Sequence, residues 1–341
     1  MYACRTHDTG SIKRVIRKST VAIAAAIIGG FLCFTLIGAV FCGATLHVPR
    51  RLGTTPPNAR TVAIVAGDKA NLSAWWLQPS EPNGSCVVVL HGIADSRVSA
   101  VGFAPMFLNQ GYAVLLPDSR AHGASEGRFV TYGLLEKYDV IAWASWMRRA
   151  GCRNIYGLGE SLGASILIQA AAVQPVFTAI VAECAYADLR EIAEYRVRQM
   201  LPMPAFVAVP VARMAVVSGM IYANWVHGLN FQQVSPIRSI SQASSPILLI
   251  HGLKDFRTPA SNSERLAIAN PRDPLWLVPN AQHTGAASAE PDEFRRRVLG
   301  WFAEHRSAAS GTSSAGSNIN QARALLLVHN LVTYAGDGSG P

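Results

Sequence analysis

Hydrophobic and polar positions follow two different rhythms along the middle of the chain. Short continuous apolar runs, such as residues 86–90 and 247–250, have the length and composition of strands that are buried on both faces. Longer stretches with helical spacing separate such runs, for example residues 134–150 and 292–305. Strands that alternate with helices predict an α/β fold with a mostly parallel sheet covered by helices on both faces.

The remaining predicted elements continue this alternation over residues 61–306, which we expect to form one domain. Further strands are predicted at residues 61–65, 72–77, 113–116, 154–158, 179–182 and 275–278, and further helices at residues 100–110 and 164–172. The first two of these strands lie on either side of a turn at Gly67 and Asp68, which predicts a hairpin.

An apolar insertion at about residues 185–245 interrupts the alternation between two predicted strands. It contains Pro202, Pro204 and Pro210. Because proline interrupts a straight helix, we expect this insertion to form several short, broken helices that make a cap.

The N-terminal region has the pattern of a membrane anchor. Residues 19–46 carry no charge, and at about 1.5 Å per residue a helix of that length exceeds the roughly 30 Å hydrocarbon core of a bilayer. The basic residues within 1–18 predict a cytoplasmic N-terminus, and therefore a single-pass protein whose domain at residues 61–306 lies on the extracytoplasmic side. Residues 47–60 are rich in proline and are predicted to be a linker. A cleaved secretory signal is the alternative, although its apolar region is usually shorter.

The basic charge of the chain belongs to this region. Residues 1–51 carry +6 of the net charge of +9, so we expect no nucleic-acid partner. At the other end, residues 307–341 begin with a stretch rich in serine, alanine and glycine, which predicts a disordered tail.

A nucleophile is predicted where the strand at residues 154–158 ends. Gly159-Glu-Ser161-Leu-Gly163 follows it and leads directly into a helix, which is the strand–turn–helix setting that the pattern G-x-S-x-G requires. A second match, centred on Ser125, has neither a strand directly before it nor a helix after it. We therefore predict Ser161, and not Ser125, as the nucleophile.

A serine hydroxyl needs a histidine to remove its proton and a carboxylate to orient that histidine. Asp255 and His283 follow the strands at residues 247–250 and 275–278, at the sheet edge where open α/β sheets bind ligands. We predict them as the orienting acid and the base. The backbone N–H groups of Ile93 and Leu162 are predicted to bind the oxyanion.

Together these motifs resemble the α/β-hydrolase superfamily. The resemblance rests on His91-Gly92, on the run from Asp118 through Arg120 and His122 to Gly127, on Gly159-x-Ser161-x-Gly163, on His251-Gly-x-x-Asp255 and on His283. It looks closest to the membrane-anchored BEM46-like branch, although Ala121 stands where relatives usually carry glycine. The resemblance implies an eight-stranded sheet, no metal and no organic cofactor, and hydrolysis of acyl esters through an acyl-enzyme. It also places Cys86 and Cys152 before neighbouring strands, so they could form a disulfide in an oxidising compartment or remain free thiols.

The expected substrate is a small-molecule carboxylic ester, and the apolar insertion and the anchor favour a lipid-like one. His91, Asp118, His122 and His251 are predicted to be structural. Thioester or peptide cleavage and acyl transfer use the same triad and stay open. A catalytically silent, membrane-tethered binding protein is the alternative outside enzymes.

Overall fold

The computed structural model describes residues 9–306, with side chains from Arg17 onward. The predicted tail at 307–341 lies outside the described residues. Of the predicted basic N-terminus at 1–18, residues 1–8 also lie outside them, and side chains are described only from Arg17. Residues 9–306 contain eight strands: β1 (Ala59–Val65), β2 (Asn71–Leu77), β3 (Ser85–Leu90), β4 (Ala113–Pro117), β5 (Asn154–Glu160), β6 (Ala179–Glu183), β7 (Ile247–Gly252) and β8 (Leu275–Val278).

Eleven α-helices complete the described part of the chain. They are α1 (Thr9–Thr45), α2 (Arg97–Ala100), α3 (Ala104–Leu108), α4 (Glu136–Arg149), α5 (Leu162–Val173), α6 (Leu189–Met200), α7 (Ala205–His227), α8 (Pro236–Ile240), α9 (Ser261–Ala269), α10 (Ala286–Ala289) and α11 (Pro291–Glu304).

The strands form one mostly parallel sheet in the order β1-β2-β4-β3-β5-β6-β7-β8, which confirms the predicted α/β-hydrolase fold. β1 and β2 form the predicted antiparallel hairpin, β2 pairs antiparallel with β4, and every other pairing is parallel. The central strands β3, β5, β6 and β7 are buried along nearly their whole length, as their continuous apolar runs predict. Parallel order brings the carboxyl ends of β5, β6 and β7 to one edge.

The aromatic part of the core fixes one face of this sheet. Tyr156 of β5 stacks on Phe302 of α11 with ring centroids 4.4 Å apart, and Phe302 also stacks on Phe107 of α3 at 5.8 Å. All three rings are fully buried. Offset aromatic pairs of this kind add to the free energy gained by burying the rings.

A disulfide joins Cys86 at the start of β3 to Cys152 just before β5, the two strands that lie side by side at the centre of the sheet. The sequence left open whether these two cysteines are bonded or free, and in the structure they are bonded. Cys184 is buried as a free thiol, and Cys33 is exposed on α1.

The chain divides into two compact units. One contains the sheet and spans Val48–Ala187 and the chain from Val234 onward; the other contains α1, α6 and α7, from the N-terminal side up to His47 and over Asp188–Gln233. In the second unit, two helices are long and apolar enough to cross a membrane: Arg17–Thr45 within α1, and α7.

The prediction that the insertion forms only short, broken helices is wrong, because α7 is a single helix of 23 residues. Pro202 and Pro204 precede α7, and Pro204 is its N-cap, where a proline interrupts nothing. Pro210 does lie inside the helix. Proline lacks the N–H that would bond the Phe206 carbonyl group in the helix. Phe206 and Pro210 are both exposed, so this part of the helix is accessible from the surface.

Candidate active site

Ser161 sits on the sharp turn between β5 and α5. Its φ of 52° lies in the left-handed region that non-glycine residues rarely adopt, and its backbone N–H donates to the Glu183 carbonyl at 2.8 Å. The glycines on either side are needed for close packing. A Cβ on Gly159 would lie 2.5 Å from the Gly163 carbonyl carbon, and a Cβ on Gly163 would lie 2.4 Å from the Leu90 carbonyl oxygen. The turn therefore requires glycine at both positions and pushes the Ser161 side chain out of the sheet edge.

The three side chains predicted from the sequence are joined by two hydrogen bonds. His283 Nε2 lies 2.9 Å from Ser161 Oγ, and His283 Nδ1 lies 2.7 Å from Asp255 Oδ2. Because a carboxylate only accepts, Nδ1 carries the proton and Nε2 is left to accept from the serine hydroxyl. The Asp255 side chain is fully buried and the His283 side chain is 15% exposed. The arrangement can therefore move a proton from Ser161 towards an imidazole that a buried carboxylate orients.

Asp255 is held by more donors than His283 alone. The backbone N–H groups of Arg257 and Thr258 donate to its Oδ1 at 2.8 and 2.9 Å, and His251 Nε2 lies 3.3 Å from its Oδ2. Burial alone would raise the pKa of this carboxyl group, but the hydrogen bonds from His251, His283 and Thr258 outweigh burial and hold the pKa below its ordinary value. Asp255 is therefore a carboxylate at neutral pH.

Two backbone N–H groups at this edge are available to a ligand oxygen. Leu162 is the first residue of α5, and Ile93 follows β3 directly after Gly92. Within the described part of the chain, neither N–H donates to a protein acceptor. A Cβ built on Gly92 would lie 3.6 Å from Ser161 Cβ, so the loop that carries Ile93 runs beside the serine. The site thus has two candidate donors for an oxyanion next to the hydroxyl group.

Ser125, the second match to G-x-S-x-G, is a structural residue. It is completely buried; its Oγ donates to the Asp118 carbonyl at 2.7 Å and accepts from the Ser73 N–H at 2.9 Å. Asp118 in turn accepts from the backbone N–H groups of Arg97 and Ala124, each at 2.8 Å. These bonds fix the loop from Asp118 to Gly127 against β2.

The predicted structural histidines also hold loops. His91 Nε2 accepts from the Ser119 N–H at 3.1 Å, and His122 Nε2 accepts from the Ala94 N–H at 3.2 Å. Burial lowers the pKa of His91 to about 4, with His122 adding to the effect, and burial also lowers the pKa of His122. Both rings are therefore neutral acceptors at neutral pH.

The family is decided by a comparison with family models. The model of the alpha/beta hydrolase family matches residues 87–297 of this chain. The chain belongs to the alpha/beta hydrolase family. That stretch runs from β3 into α11 and includes Ser161, Asp255 and His283.

Relatives of this alpha/beta hydrolase occur in bacteria. The Bacillus subtilis protein YqkD is 28% identical over 218 residues, which cover 62% of this chain and 69% of YqkD. The Mycobacterium tuberculosis protein Rv2307c is 26% identical over 297 residues, which cover 85% of this chain and 94% of Rv2307c. The match to the family model confirms the predicted superfamily, whereas the BEM46-like branch stays a prediction.

Solved structures share the fold. The Pyrococcus furiosus esterase Pf2001 superposes with a TM-score of 0.61 at 23% identity, covering 76% of this chain and 99% of the esterase. A puromycin-hydrolyzing peptidase of Mycobacterium tuberculosis superposes with a TM-score of 0.57 at 19% identity, covering 72% of this chain and 39% of the peptidase. At these identities, the similarity is evidence for the fold alone.

Two acids at the site of this alpha/beta hydrolase were not singled out from the sequence. Glu160 precedes Ser161, and Glu183 ends the neighbouring strand β6 at the same register. Burial raises the pKa of Glu160 to about 8, with Glu183 and Asp95 adding to the rise. Burial raises the pKa of Glu183 to about 7, which the Ala286 N–H at 2.9 Å partly opposes. The position of Glu183 at the carboxyl end of a buried strand is the signal that could have identified it.

Among the described residues, Cys184, Asp255 and His283 could together hold a metal ion, since one ligand atom from each lies within 4.8 Å of the others. However, the Asp255 carboxylate and His283 Nδ1 already share a proton at 2.7 Å. A metal ion would have to displace that proton and deprotonate Cys184, whose thiol has its pKa raised above the usual range by burial. The local chemistry therefore favours the hydrogen-bonded pair over a metal centre.

Proposed function

We propose that this chain is a serine hydrolase that cleaves carboxylic esters through an acyl-enzyme. The observation that carries the proposal is the continuous hydrogen-bond path from Ser161 Oγ through His283 to Asp255, at 2.9 and 2.7 Å. In the first step, Ser161 Oγ attacks the ester carbonyl carbon while its proton passes to His283 Nε2. The protonated His283 then gives this proton to the departing alkoxide, and an acyl-Ser161 ester and a free alcohol result.

Hydrolysis of the acyl-enzyme repeats these steps with water. Water gives a proton to His283 Nε2 and attacks the acyl carbon, and Ser161 leaves as an alcohol after His283 returns the proton. The Ile93 and Leu162 N–H groups stabilise the negative charge on the carbonyl oxygen in both steps. Removing a single donor of this kind typically costs about 3 kcal/mol of transition-state stabilisation.

Asp255 has two roles in this scheme. It keeps the Nδ1 proton on His283, so that Nε2 faces Ser161 as an acceptor, and it stabilises the imidazolium ion that forms during each proton transfer. The lowered pKa of Asp255 supports both roles because the group stays negatively charged across the neutral range.

We further propose that α1 anchors the enzyme in a membrane with the hydrolase domain on the extracytoplasmic side. The length and apolar surface of Arg17–Thr45 support the anchor, and the basic residues before it support a cytoplasmic N-terminus. The Cys86–Cys152 disulfide supports an oxidising, and hence extracytoplasmic, location.

Hydrolysis of a series of p-nitrophenyl esters from acetate to palmitate tests the proposed activity. The full-length protein in detergent is compared with Ser161→Ala and with Ser125→Ala, a matched control at the other G-x-S-x-G pattern. We expect activity to fall to background in Ser161→Ala alone, and the preferred chain length to define the acyl group. Full activity in Ser161→Ala would refute the proposal. Thioester and puromycin-type amide substrates in the same assay distinguish the related activities.

A further inference from the structure

α7 has the polarity of a helix that faces lipid. Its buried positions hold mostly small residues, namely Ala208, Ala212, Val216, Ser218, Gly219 and Ala223. Its outward face carries Phe206, Met214, Ile221 and Trp225, with Phe206 81% and Trp225 71% exposed. These four residues recur at helical spacing and so form one stripe. A helix at the surface of a water-soluble domain turns its apolar stripe inward, whereas α7 turns it outward.

The inward face of α7 packs closely against α1. A Cβ on Gly38 would lie 2.6 Å from the Ser218 carbonyl oxygen, and a Cβ on Gly219 would lie 2.3 Å from the Phe41 ring. The Cys42 thiol donates to the Gly219 carbonyl at 3.1 Å. Small residues at a close helix–helix contact, together with a polar side chain bonded to the facing backbone, are typical of helices that associate within a membrane.

The contact lies near the C-terminal end of α1. Gly38, Phe41 and Cys42 precede the end of α1 at Thr45 by a few residues, which corresponds to roughly 5–10 Å along the helix axis. If α1 crosses the bilayer with its N-terminus in the cytoplasm, this depth corresponds to the outer leaflet.

The chain connectivity argues against a second crossing. The chain enters the insertion from β6 and leaves it for β7, and these two strands of one sheet lie on the same side of the membrane. If α7 crossed the membrane, its two ends would lie on opposite sides. The only other long element of the insertion is α6, whose 12 residues extend about 18 Å and carry several charges, including Arg190, Glu194 and Arg198. Such a helix is too short and too polar to bring the chain back across the hydrocarbon core.

We propose that α7 is embedded in the outer leaflet of the bilayer that α1 crosses, with its Phe206–Trp225 stripe among lipid acyl chains. This inference rests on the proposed anchoring by α1 and deepens it by assigning membrane lipid as the partner of the insertion. Arg213 is the one Lys or Arg residue within α7, and its long side chain reaches the headgroup level from a helix at this depth.

Fluorescence quenching in phosphatidylcholine vesicles tests the proposal on the full-length chain. An NBD fluorophore is attached to Ile221→Cys in a background in which Cys4 and Cys33 are both replaced by serine, and to Ile268→Cys in the same background as the matched control. Ile268 is 77% exposed on α9, which belongs to the other unit. A third sample has Cys4→Ser alone and carries the fluorophore on the native Cys33, which is exposed on α1 and reports the anchor. Quenchers are iodide in water and phospholipids with a doxyl group either near the headgroup or near the chain end.

We expect the fluorophore at residue 221 to be quenched most by the doxyl group near the headgroup, and several-fold less by iodide than the fluorophore at residue 268. Iodide quenching equal to that at residue 268 would overturn the proposal. Protection from iodide without quenching by either lipid would also overturn it, and would indicate a protein neighbour such as a second copy. Strongest quenching by the chain-end doxyl group would overturn the placement in the outer leaflet.

The Cys33 sample separates this inference from the proposed anchor. Lipid quenching at Cys33 with none at residue 221 would refute the embedding of α7 alone, whereas no lipid quenching at either position would refute the anchor. Because quenching does not depend on turnover, adding Ser161→Ala to the labelled proteins leaves it unchanged, and a failure of the proposed ester hydrolysis is recognised separately.

Discussion

Replacing Asp255 with asparagine perturbs the proposed mechanism at one atom. Oδ1 of Asp255 accepts from two backbone N–H groups, those of Arg257 and Thr258, so this position must remain an oxygen in the variant. The amide nitrogen therefore replaces Oδ2, which faces His283 Nδ1 at 2.7 Å. The new N–H donates to Nδ1, the imidazole proton moves to Nε2, and Nε2 can no longer accept the proton of Ser161.

The size of the loss follows from this change of tautomer. Reversing the tautomer of a triad histidine while the geometry is kept lowers kcat by about 10⁴-fold in serine proteases. At 1.36 kcal/mol for each factor of ten, this loss corresponds to roughly 5 kcal/mol of transition-state stabilisation. His251 adds to the effect, because its Nε2 also lies 3.3 Å from the replaced oxygen and would face another N–H donor.

The assay is the steady-state kcat for the best p-nitrophenyl ester, measured together with thermal unfolding. Asp273→Asn is the matched control, because Asp273 is also buried and also accepts from a backbone N–H, that of Ile247 at 2.9 Å, but has no contact with the triad. We expect Asp255→Asn to lose kcat by three to four orders of magnitude and Asp273→Asn to keep it. An Asp255→Asn variant that is folded and retains kcat within about tenfold would refute the assigned role of Asp255.

Three further predictions concern stability. Burial raises the folded-state pKa of Glu183 from 4.5 to about 7, so the wild type should lose stability as the pH rises through that interval. Glu183→Gln should remove about 3 kcal/mol of this loss, measured by denaturant unfolding at a series of pH values. Replacing Cys86 and Cys152 together by serine should lower the free energy of unfolding by about 4 kcal/mol in the same assay, because the bridge closes a loop with a sequence separation of 66. Ser125→Ala should cost about 1–3 kcal/mol in thermal unfolding, because it leaves buried polar groups unpaired, while kcat stays within a few-fold.

Each of these predictions has an outcome that contradicts it. An unchanged pH dependence in Glu183→Gln would mean that Glu183 is ionised in the folded state throughout the range. Equal stability of the double-serine variant and the wild type under non-reducing conditions would mean that the two cysteines are not joined. A loss of kcat in Ser125→Ala as large as that in Ser161→Ala would return Ser125 to the list of candidate nucleophiles.

Much of the sheet and the three central site residues could be predicted from the sequence because their signals are local. The continuous apolar run before Gly159 marks a strand that is buried on both faces, and the small residues after Gly163 continue as a helix. Asp255 and His283 each follow a strand within a few residues, and parallel order brings such positions to the same edge. Patterns within a few residues of each strand end were therefore sufficient to predict that these three side chains lie close together.

The contacts missed from the sequence depend on distant parts of the chain. Arg50, one of the basic residues within 1–51, donates to the carbonyl groups of Gly123, Ser125 and Gly127 more than 70 residues away. Patterns along the chain carry no information about such pairs.

The continuous α7 was missed for a different reason. Three prolines within nine residues predict interruptions. Two of them precede the helix, and Pro210, its sixth residue, lies inside a helix that continues through it. The effect of a proline depends on where the helix begins, which the sequence pattern did not define.

Ala121 shows how a departure from a family pattern can be accommodated. Its φ of 58° lies in the left-handed region that favours glycine, the residue that the resemblance predicts at this position. The backbone N–H of Ala121 donates to the Glu126 carbonyl at 2.9 Å, so the loop from Asp118 to Gly127 keeps its conformation despite the strain.

The most direct test of the central claim, that Ser161 is the nucleophile, is the mapping of a fluorophosphonate adduct by peptide mass spectrometry on the full-length protein. The proposed mechanism predicts one phosphonyl group per chain, on the peptide that contains Ser161, and no labelling of Ser161→Ala. An adduct on any other residue, or undiminished labelling of a folded Ser161→Ala variant, would contradict it.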